Sequence, residues 1–553
     1  MLALLLSSLL SLLLFCGLGF LVTRLLKINT SFAVRMLIGL VIVNTFTSVT
    51  SLLFPVNGLL LLFMLALLAV IARFVIKDVV AAVNNMIYKP TQLVLSLLFI
   101  FPAILIAINA PDNYDTGLYH TQAIKWIEEY PAIPGLANLH GRFGFNPNVF
   151  SLFALTSLSS VFSQHIYSIN FTVFVIVVPW FINTIYGIFF KQGLTGIVFF
   201  MVMLLLTVLL LTGNLTSPSP DFISLVFTIF VFAYTAGLTT AGRPFTFGNY
   251  LPVLILSAYV VTVKLSVLPL LLLPLLLLYR VKISARQWCI LLFIPVVIML
   301  PWLTRNVILS GWLIYPFPSL DLFGFDWKVP LDKAAGEHES VTGWARNPGP
   351  AYAASAHMAI TDWFPLWWMQ LKVYEQAFIT TGLVLPLISL VFQVINRLKA
   401  NYIVTCIVIT ALSGSLFWVL TAPVLRFGLA FIVAGISVLL LAVKWRIPAT
   451  FKPVLILNIL IALLFCAETG RARSYIKNSV YHLNSVVVKP AILPNPVGSY
   501  FLEHKINGIR LYEPLPGDQC FDHGLPCTPY PDPNIVLRGN TVSAGFKIKP
   551  QPE

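Results

Sequence analysis

Long apolar runs recur along the chain, divided by short polar loops, and few of them alternate in the manner of a strand. A run such as LLLLFMLALLAVIARFVI (59–76) is apolar on every face and long enough to cross a bilayer as a helix. A transmembrane barrel would show polar residues at every second position, so helices are predicted instead. Read this way, the chain gives spans at 4–22, 36–54, 58–76, 92–110, 165–189, 194–212 and 222–240. Others follow at 250–263, 266–280, 288–304, 376–396, 402–422, 428–443 and 453–469. The predicted class is an all-α polytopic membrane protein with about fourteen transmembrane helices.

One stretch decides the topology. LPVLILSAYVVTVKLSVLPLLLLPLLLLYR (251–280) is long for one span and short for two. A single crossing would leave Lys264 near mid-membrane, at a cost of about 3 kcal/mol on insertion scales. A tight hairpin turning at Lys264–Ser266 removes that cost and puts the lysine at a surface. It also keeps the loop cations, from Arg24 to Lys452, on one side, with Asp78 the single acid among them. Both termini and three larger segments (111–164, 305–375 and 470–553) then fall on the outer side. The first contains NPNVFSLFALTSLSSVF, an amphipathic stretch expected to lie along the interface. The second is rich in Trp and Pro and is expected to form a cap with aromatic residues at headgroup level. The third is expected to be a small irregular tail.

Composition narrows the class further. Of 553 residues, 58% are hydrophobic and only 10% charged, more apolar surface than a soluble domain can cover. The net charge of +14 suggests nucleic acid at first sight, but the basic residues lie in loops between spans, so no nucleic-acid partner is expected. The N-terminal run lacks a basic leader region and is followed by Arg24 and Lys27, which predicts a retained first span. Cys16, Cys289, Cys406 and Cys466 lie in apolar runs as small packing residues. Cys520 and Cys527, close together among Gly and Pro in GDQCFDHGLPCTPYPDP, suit a loop-closing disulfide, with a free pair as the alternative.

The candidate chemistry is ionic. Asp112 and Asp115 (in PDNYDTGLYHTQAIKW), Tyr119, His120, Arg142, Asp221 (in NLTSPSPDF), Lys264, Arg305 and Arg426 come from distant parts of the chain but share a predicted depth. Ionisable groups at such a depth usually face a cavity or the bundle interior. Cations there could hold a lipid phosphate, arginine through its bidentate fork, and a carboxylate beside them could accept a proton from an attacking hydroxyl. Simpler roles compete. Asp112, Asp115 and Asp221 each stand where a helix N-cap is expected, and Arg305 and Arg426 could reach to the interface along apolar stems. A divalent cation such as Mg or Mn held by Asp112, Asp115 and Asp221 is a further alternative. No zinc-ligand spacing is present.

A span ending in an acid, then Asp115-x-x-x-Tyr119 and a helix bearing Ala123 and Trp126, resembles the first outer loop of GT-C superfamily glycosyltransferases. These are polyprenyl-phosphate-sugar-dependent enzymes such as the aminoarabinose and protein mannosyl transferases. The segment TVKLSVLPLLLLP and the SPSPD before a span are similar to other parts of that family's core. The likeness covers roughly residues 90–310 and lacks the family's common adjacent Asp-Glu pair. SGWLIYPFP, APVLRFG and DQCFDHGLPCTPY resemble a group of bacterial multispanning proteins.

The resemblance implies a GT-C-like bundle, with N-terminal helices over 1–91, a core over 92–310 and a cap over 311–375. C-terminal helices would follow over 376–469 and the tail over 470–553. It implies inverting transfer of a sugar from a polyprenyl-phosphate donor to a glycan, lipid or protein acceptor, at the periplasmic face of a bacterial inner membrane. Asp115 would be the base, with Asp112 next in line, and Lys264 would hold the lipid phosphate. Tyr119, His120, Arg142, Asp221, Arg305 and Arg426 would contact substrate. A transporter or flippase of a lipid-linked sugar would use the same cations without a base, and would favour inverted repeats that are not evident. A non-catalytic assembly partner would not gather these charges into one pocket.

Overall fold

The computed structural model describes residues 1–87, 90–111, 113–189, 212–240, 245–395, 402–442, 465–467, 469–474 and 500–549. The chain is a mainly helical, multi-pass membrane protein. Nine helices among the described residues are long and apolar enough to cross a membrane, and three shorter apolar helices accompany them. The predicted spans at 194–212 and 453–469 fall almost wholly outside the described residues.

The helices of the first half are α1 (Leu2–Leu25), α2 (Phe32–Leu53), α3 (Gly58–Ile87), α4 (Pro90–Ala107), α5 (Thr121–Glu129), α6 (Phe150–Leu155), α7 (Ser159–Phe162) and α8 (Ile169–Phe189). Next come α9 (Pro220–Thr240), α10 (Phe247–Val263), α11 (Leu272–Leu277) and α12 (Ala285–Ser310). After α12 lie α13 (Leu331–Arg346), α14 (Tyr352–Ala356), α15 (Ile360–Gln370), α16 (Val373–Ile395), α17 (Tyr402–Thr421) and α18 (Leu425–Ala442). Burial separates centre from rim. The most apolar window of α9 is 89% buried, against 22% for α3, α12 and α16, so α9 runs through the interior while the others face outward.

The expected break at Lys264 is present. Helix α10 stops at Val263, Lys264 is extended, and the 3-10 turn Leu265–Leu271 with α11 packs back along α10. The amphipathic stretch divides in two. Its later part, α7, has no buried residue, but every residue of α6 is buried, so α6 is a core element. A polar network draws it in. Asn44 of α2 donates to the Asn148 carbonyl at 3.0 Å and to Ser151 Oγ at 2.8 Å, while Tyr259 of α10 donates to Asn44 Oδ1 at 2.6 Å. Asn148 in turn donates to Thr262 Oγ1 at 3.1 Å. Buried polar groups need such partners, and this network fixes the first loop against the end of α10.

The described part of the tail, 500–549, is not irregular. Strands β1 (Tyr500–Ile506) and β2 (Ile509–Leu515) form an antiparallel hairpin, and β3 (Ile535–Leu537) pairs antiparallel with β4 (Phe546–Ile548). Asn507 and Gly508 turn the first hairpin with φ of 48° and 84°, the pair of positive values a type I′ turn requires. The Asn-Gly signal was in the sequence, but its flanking strands carry few consecutive apolar residues. Cys520 and Cys527 are bonded to one another. The tail sits on the first loop: Phe546 N donates to the Pro134 carbonyl at 2.9 Å and Thr528 Oγ1 to that of Leu139 at 3.0 Å. In the cap, the Trp-rich α15 packs Trp363 and Trp367 against Trp418 and Ile432 of α17 and α18.

Candidate functional site

Asp115 precedes a π-helical turn, Thr116–His120, that leads directly into α5. An Asx turn sets its backbone, with Asp115 N donating to Asn113 Oδ1 at 3.0 Å. The Asp115 side chain makes no capping bond. The N-cap reading therefore fails for this residue, and its carboxylate is free for ionic partners.

Those partners come from three other regions. Arg142 Nη1, on the 3-10 turn Gly141–Phe145, lies 3.1 Å from Asp115 Oδ1. Arg426, in the first turn of α18, places Nη2 3.6 Å from Asp115 Oδ2 and Nε 3.2 Å from Asp221 Oδ2. Lys264 pairs with the other oxygen of Asp221. At the far end, Arg142 Nε faces Glu337 Oε1 of α13 at 3.6 Å. The result is one file of alternating charge: Glu337, Arg142, Asp115, Arg426, Asp221, Lys264. Opposite charges at these separations attract one another, and half-burial limits the solvent screening of that attraction. Arg426 is the open point, its side chain 50% exposed against 14% for Asp221.

Aromatic faces shape the file. Lys264 Nζ stands 3.5 Å from the Phe427 ring centroid, and the Arg142 guanidinium lies 5.8 Å from that of Tyr119. Tyr119 and His120 are buried beneath, ring centroids 4.4 Å apart. Burial pushes the His120 imidazole down to about 4, against the pull of Asp115 and Asp221, so it is neutral at ordinary pH. Its Nδ1 has no hydrogen-bond partner among the described residues. Burial also pushes Tyr119 well above the usual phenol range. Glu337 is raised by burial, with Arg142 working the other way.

The tail covers the π-helical turn. Phe521 N donates to the Gly117 carbonyl at 2.9 Å, and Gln122 Nε2 donates to the carbonyls of Phe521 and His523, both at 2.9 Å. A Cβ at residue 117 would stand 2.6 Å from the Phe521 ring, so this close approach requires glycine.

Of the residues predicted from sequence, Asp115, Tyr119, His120, Arg142, Asp221, Lys264 and Arg426 meet in this cluster. Asp112 lies outside the described residues. Arg305 does not join. It is buried and donates to the Ser51 carbonyl at 3.1 Å and to Ser51 Oγ at 3.0 Å. A cation beside the last carbonyls of α2 complements the negative end of that helix, which explains its position. Glu337 was not anticipated, because it lies in a polar helix among Asp332, Lys333 and Glu339 with nothing in its spacing to single it out.

The proposed metal site of Asp112, Asp115 and Asp221 does not fit. Asp115 and Asp221 are already engaged by Arg142, Arg426 and Lys264, which would repel a divalent ion. Among the described residues, no group of three metal-ligating side chains is assembled.

Comparison with known proteins adds a family and nothing of its chemistry. No curated protein and no solved structure matches the chain. A family model, described as a domain of unknown function (DUF8201), matches residues 1–433. That span takes in every member of the charged file and stops short of the tail, and the chain belongs to this family.

Proposed function

We propose that this chain is a membrane glycosyltransferase, moving a sugar from a polyprenyl-phosphate donor to a hydroxyl of a glycan, lipid or protein acceptor with inversion. The observation that carries the reading is the half-exposed Arg426 held between two carboxylates, with Lys264 on its far side. A lipid phosphate arriving at the membrane surface would meet Arg426 and Lys264 together. Both can exchange a carboxylate contact for a phosphate contact without leaving their places, and arginine can do so through two parallel N–H bonds.

Asp115 is the base in this reading. It meets Arg426 at Nη2 while Asp221 meets it at Nε, so the base would stand beside the cation that holds the phosphate. The acceptor oxygen forms a bond to the anomeric carbon while the bond from that carbon to the phosphate oxygen breaks. The acceptor proton passes to Asp115, and the electron pair leaves with the polyprenyl phosphate, whose growing charge Lys264 and Arg426 stabilise. Preorganised cations aimed at a leaving group are often the largest catalytic contribution. Neutral His120 can orient a sugar hydroxyl from below. The site would open on the periplasmic side of a bacterial inner membrane, where lipid-linked sugars present their headgroups.

Purified protein supplied with radiolabelled polyprenyl-phosphate sugars and a panel of acceptors tests the reading. Asp115→Asn should lower transfer by about 10²–10⁴-fold, the usual contribution of a general base, while donor still binds. Transfer undiminished in Asp115→Asn would overturn the assignment of the base. No transfer by the wild-type protein to any acceptor, with donor bound and released unchanged, would favour a carrier of the lipid over an enzyme.

A further inference from the structure

A second site lies at the other end of α4. A groove of about 1090 Å³ runs between α1, α2, α3, α4 and α8. Its volume exceeds the roughly 300–1,000 Å³ of ordinary small-molecule pockets. Leu12, Leu13, Phe20, Leu97, Ile100 and Val175 give it an apolar wall. Polar groups gather at one end. Arg24 ends α1, Arg35 opens α2, Lys27 lies in the turn between them, and Gln92 stands at the start of α4. The Asp115 cluster follows the C-terminal end of the same α4, so the two sites are at opposite ends of that helix.

The groove has the dimensions of half a bilayer. Leu12 and Arg24 are twelve residues apart on α1, about 18 Å at 1.5 Å per residue. One leaflet of a hydrocarbon core is about 15 Å deep. An acyl chain entering beside Leu12 would therefore bring its headgroup to the basic end. That end carries excess positive charge: Arg24, Lys27 and Arg35 face a single carboxylate, Asp78, which lies 3.5 Å from Arg24. Lys27 has no ion pair among the described residues, and its backbone φ of 55° marks a tight turn. Arg35 is held over the Phe20 ring at 4.7 Å and donates from Nε to the Thr30 carbonyl at 3.3 Å. Gln92 Oε1 is buried without a hydrogen-bond partner among the described residues.

We propose that this groove binds an anionic phospholipid of the bilayer, with one acyl chain along α1 and the phosphate between Lys27, Arg35 and Arg24. Neither the apolar wall nor the cations alone would select such a ligand. A neutral apolar molecule leaves the cations unanswered, and a free phosphate leaves the wall unfilled. A diester phosphate on a hydrocarbon chain answers both. The inference is independent of the glycosyl-transfer reading, since it uses no residue of the charged file.

Native mass spectrometry of the full chain, released from detergent after exchange with defined lipids, tests it. Phosphatidylglycerol and phosphatidylcholine of identical acyl chains are offered in competition, and sn-glycerol 3-phosphate is added as a headgroup without a chain. The expected result is at least a tenfold preference for phosphatidylglycerol, undisturbed by glycerol 3-phosphate. Lys27→Gln with Arg35→Gln should reduce that preference to near parity. Equal retention of the two lipids by wild-type protein would overturn the proposal, as would displacement by glycerol 3-phosphate at matched concentration. The wild-type competition stands by itself should the double variant fail to fold.

Discussion

Arg426 and Arg305 were equivalent in the sequence, each a lone arginine near the end of an apolar run, and the fold gives them opposite tasks. Arg426 bridges Asp115 and Asp221 and stays half exposed. Arg305 is buried against Ser51 and supports the end of α2. Arg305→Ala should therefore lower thermal stability in detergent by about 1.5–3 kcal/mol, the worth of a charged hydrogen bond, and leave donor affinity unchanged. Arg426→Gln should do the reverse, weakening donor binding about tenfold or more with little change in melting temperature. Equal effects of the two substitutions on binding would put Arg305 back in the site. Depth along a span is readable from sequence, because apolar runs have countable lengths. The face of the helix on which a residue falls is not readable where every face is apolar, and that is why Arg305 was grouped with the cluster. Glu337 was missed for the complementary reason: in a polar helix, one carboxylate looks like any other.

At the level of elements, the π-helical turn Thr116–His120 depends on the tail laid over it. Two devices hold that contact. The bond between Cys520 and Cys527 closes a loop of seven residues' separation, which by loop entropy contributes about 2.5 kcal/mol. Replacing both by serine should raise hydrogen exchange at residues 114–123, where Gln519, Phe521 and His523 now meet Tyr114, Gly117 and Gln122. Unchanged exchange there would show that the loop holds its place without the bond. The second device is His165, whose Nε2 lies 2.7 Å from Glu128 and whose Nδ1 lies 3.0 Å from Asp522 of the tail. Burial alone would lower its pKa, but Asp522 and Glu128 outweigh burial and raise it to about 9. A free histidine titrates near 6.5, so the protonated latch contributes fully below about pH 6.5 and is lost as pH rises through about 9. Limited proteolysis should find the tail cut faster above pH 9 than at pH 7, after correction for protease activity. A flat profile would mean that other contacts carry the attachment. Neither device was legible beyond the cysteine pair, because Glu128, His165 and Asp522 are brought together only by the fold. The hairpin at Asn507–Gly508 was legible in principle, and the break at Lys264 was correctly read from the cost of burying a lone lysine.

On the scale of the whole molecule, the charges divide between two ends of the bundle. One end carries the alternating file with the cap and tail around it, and the other carries the cationic rim of the lipid groove. Hydropathy and charge placement make this division legible in the sequence, since few charges are tolerated between the ends. Which residues pair across the file was not legible, because the pairing joins segments far apart in the chain, as with Asp115 and Arg426. If the file is a lipid-phosphate site, its cations should respond as a unit. Removing Lys264 leaves Asp221 to repel the phosphate, so Lys264→Met should cost more than Lys264→Met combined with Asp221→Asn. The measurement to make is the affinity of purified protein for polyprenyl phosphate by equilibrium binding, for wild type and for these two variants. The expected outcome is at least a tenfold loss in Lys264→Met, partly recovered in the double variant. Wild-type protein that does not bind polyprenyl phosphate, or binds it with an affinity indifferent to Lys264, would contradict the reading of this cluster as a lipid-phosphate site.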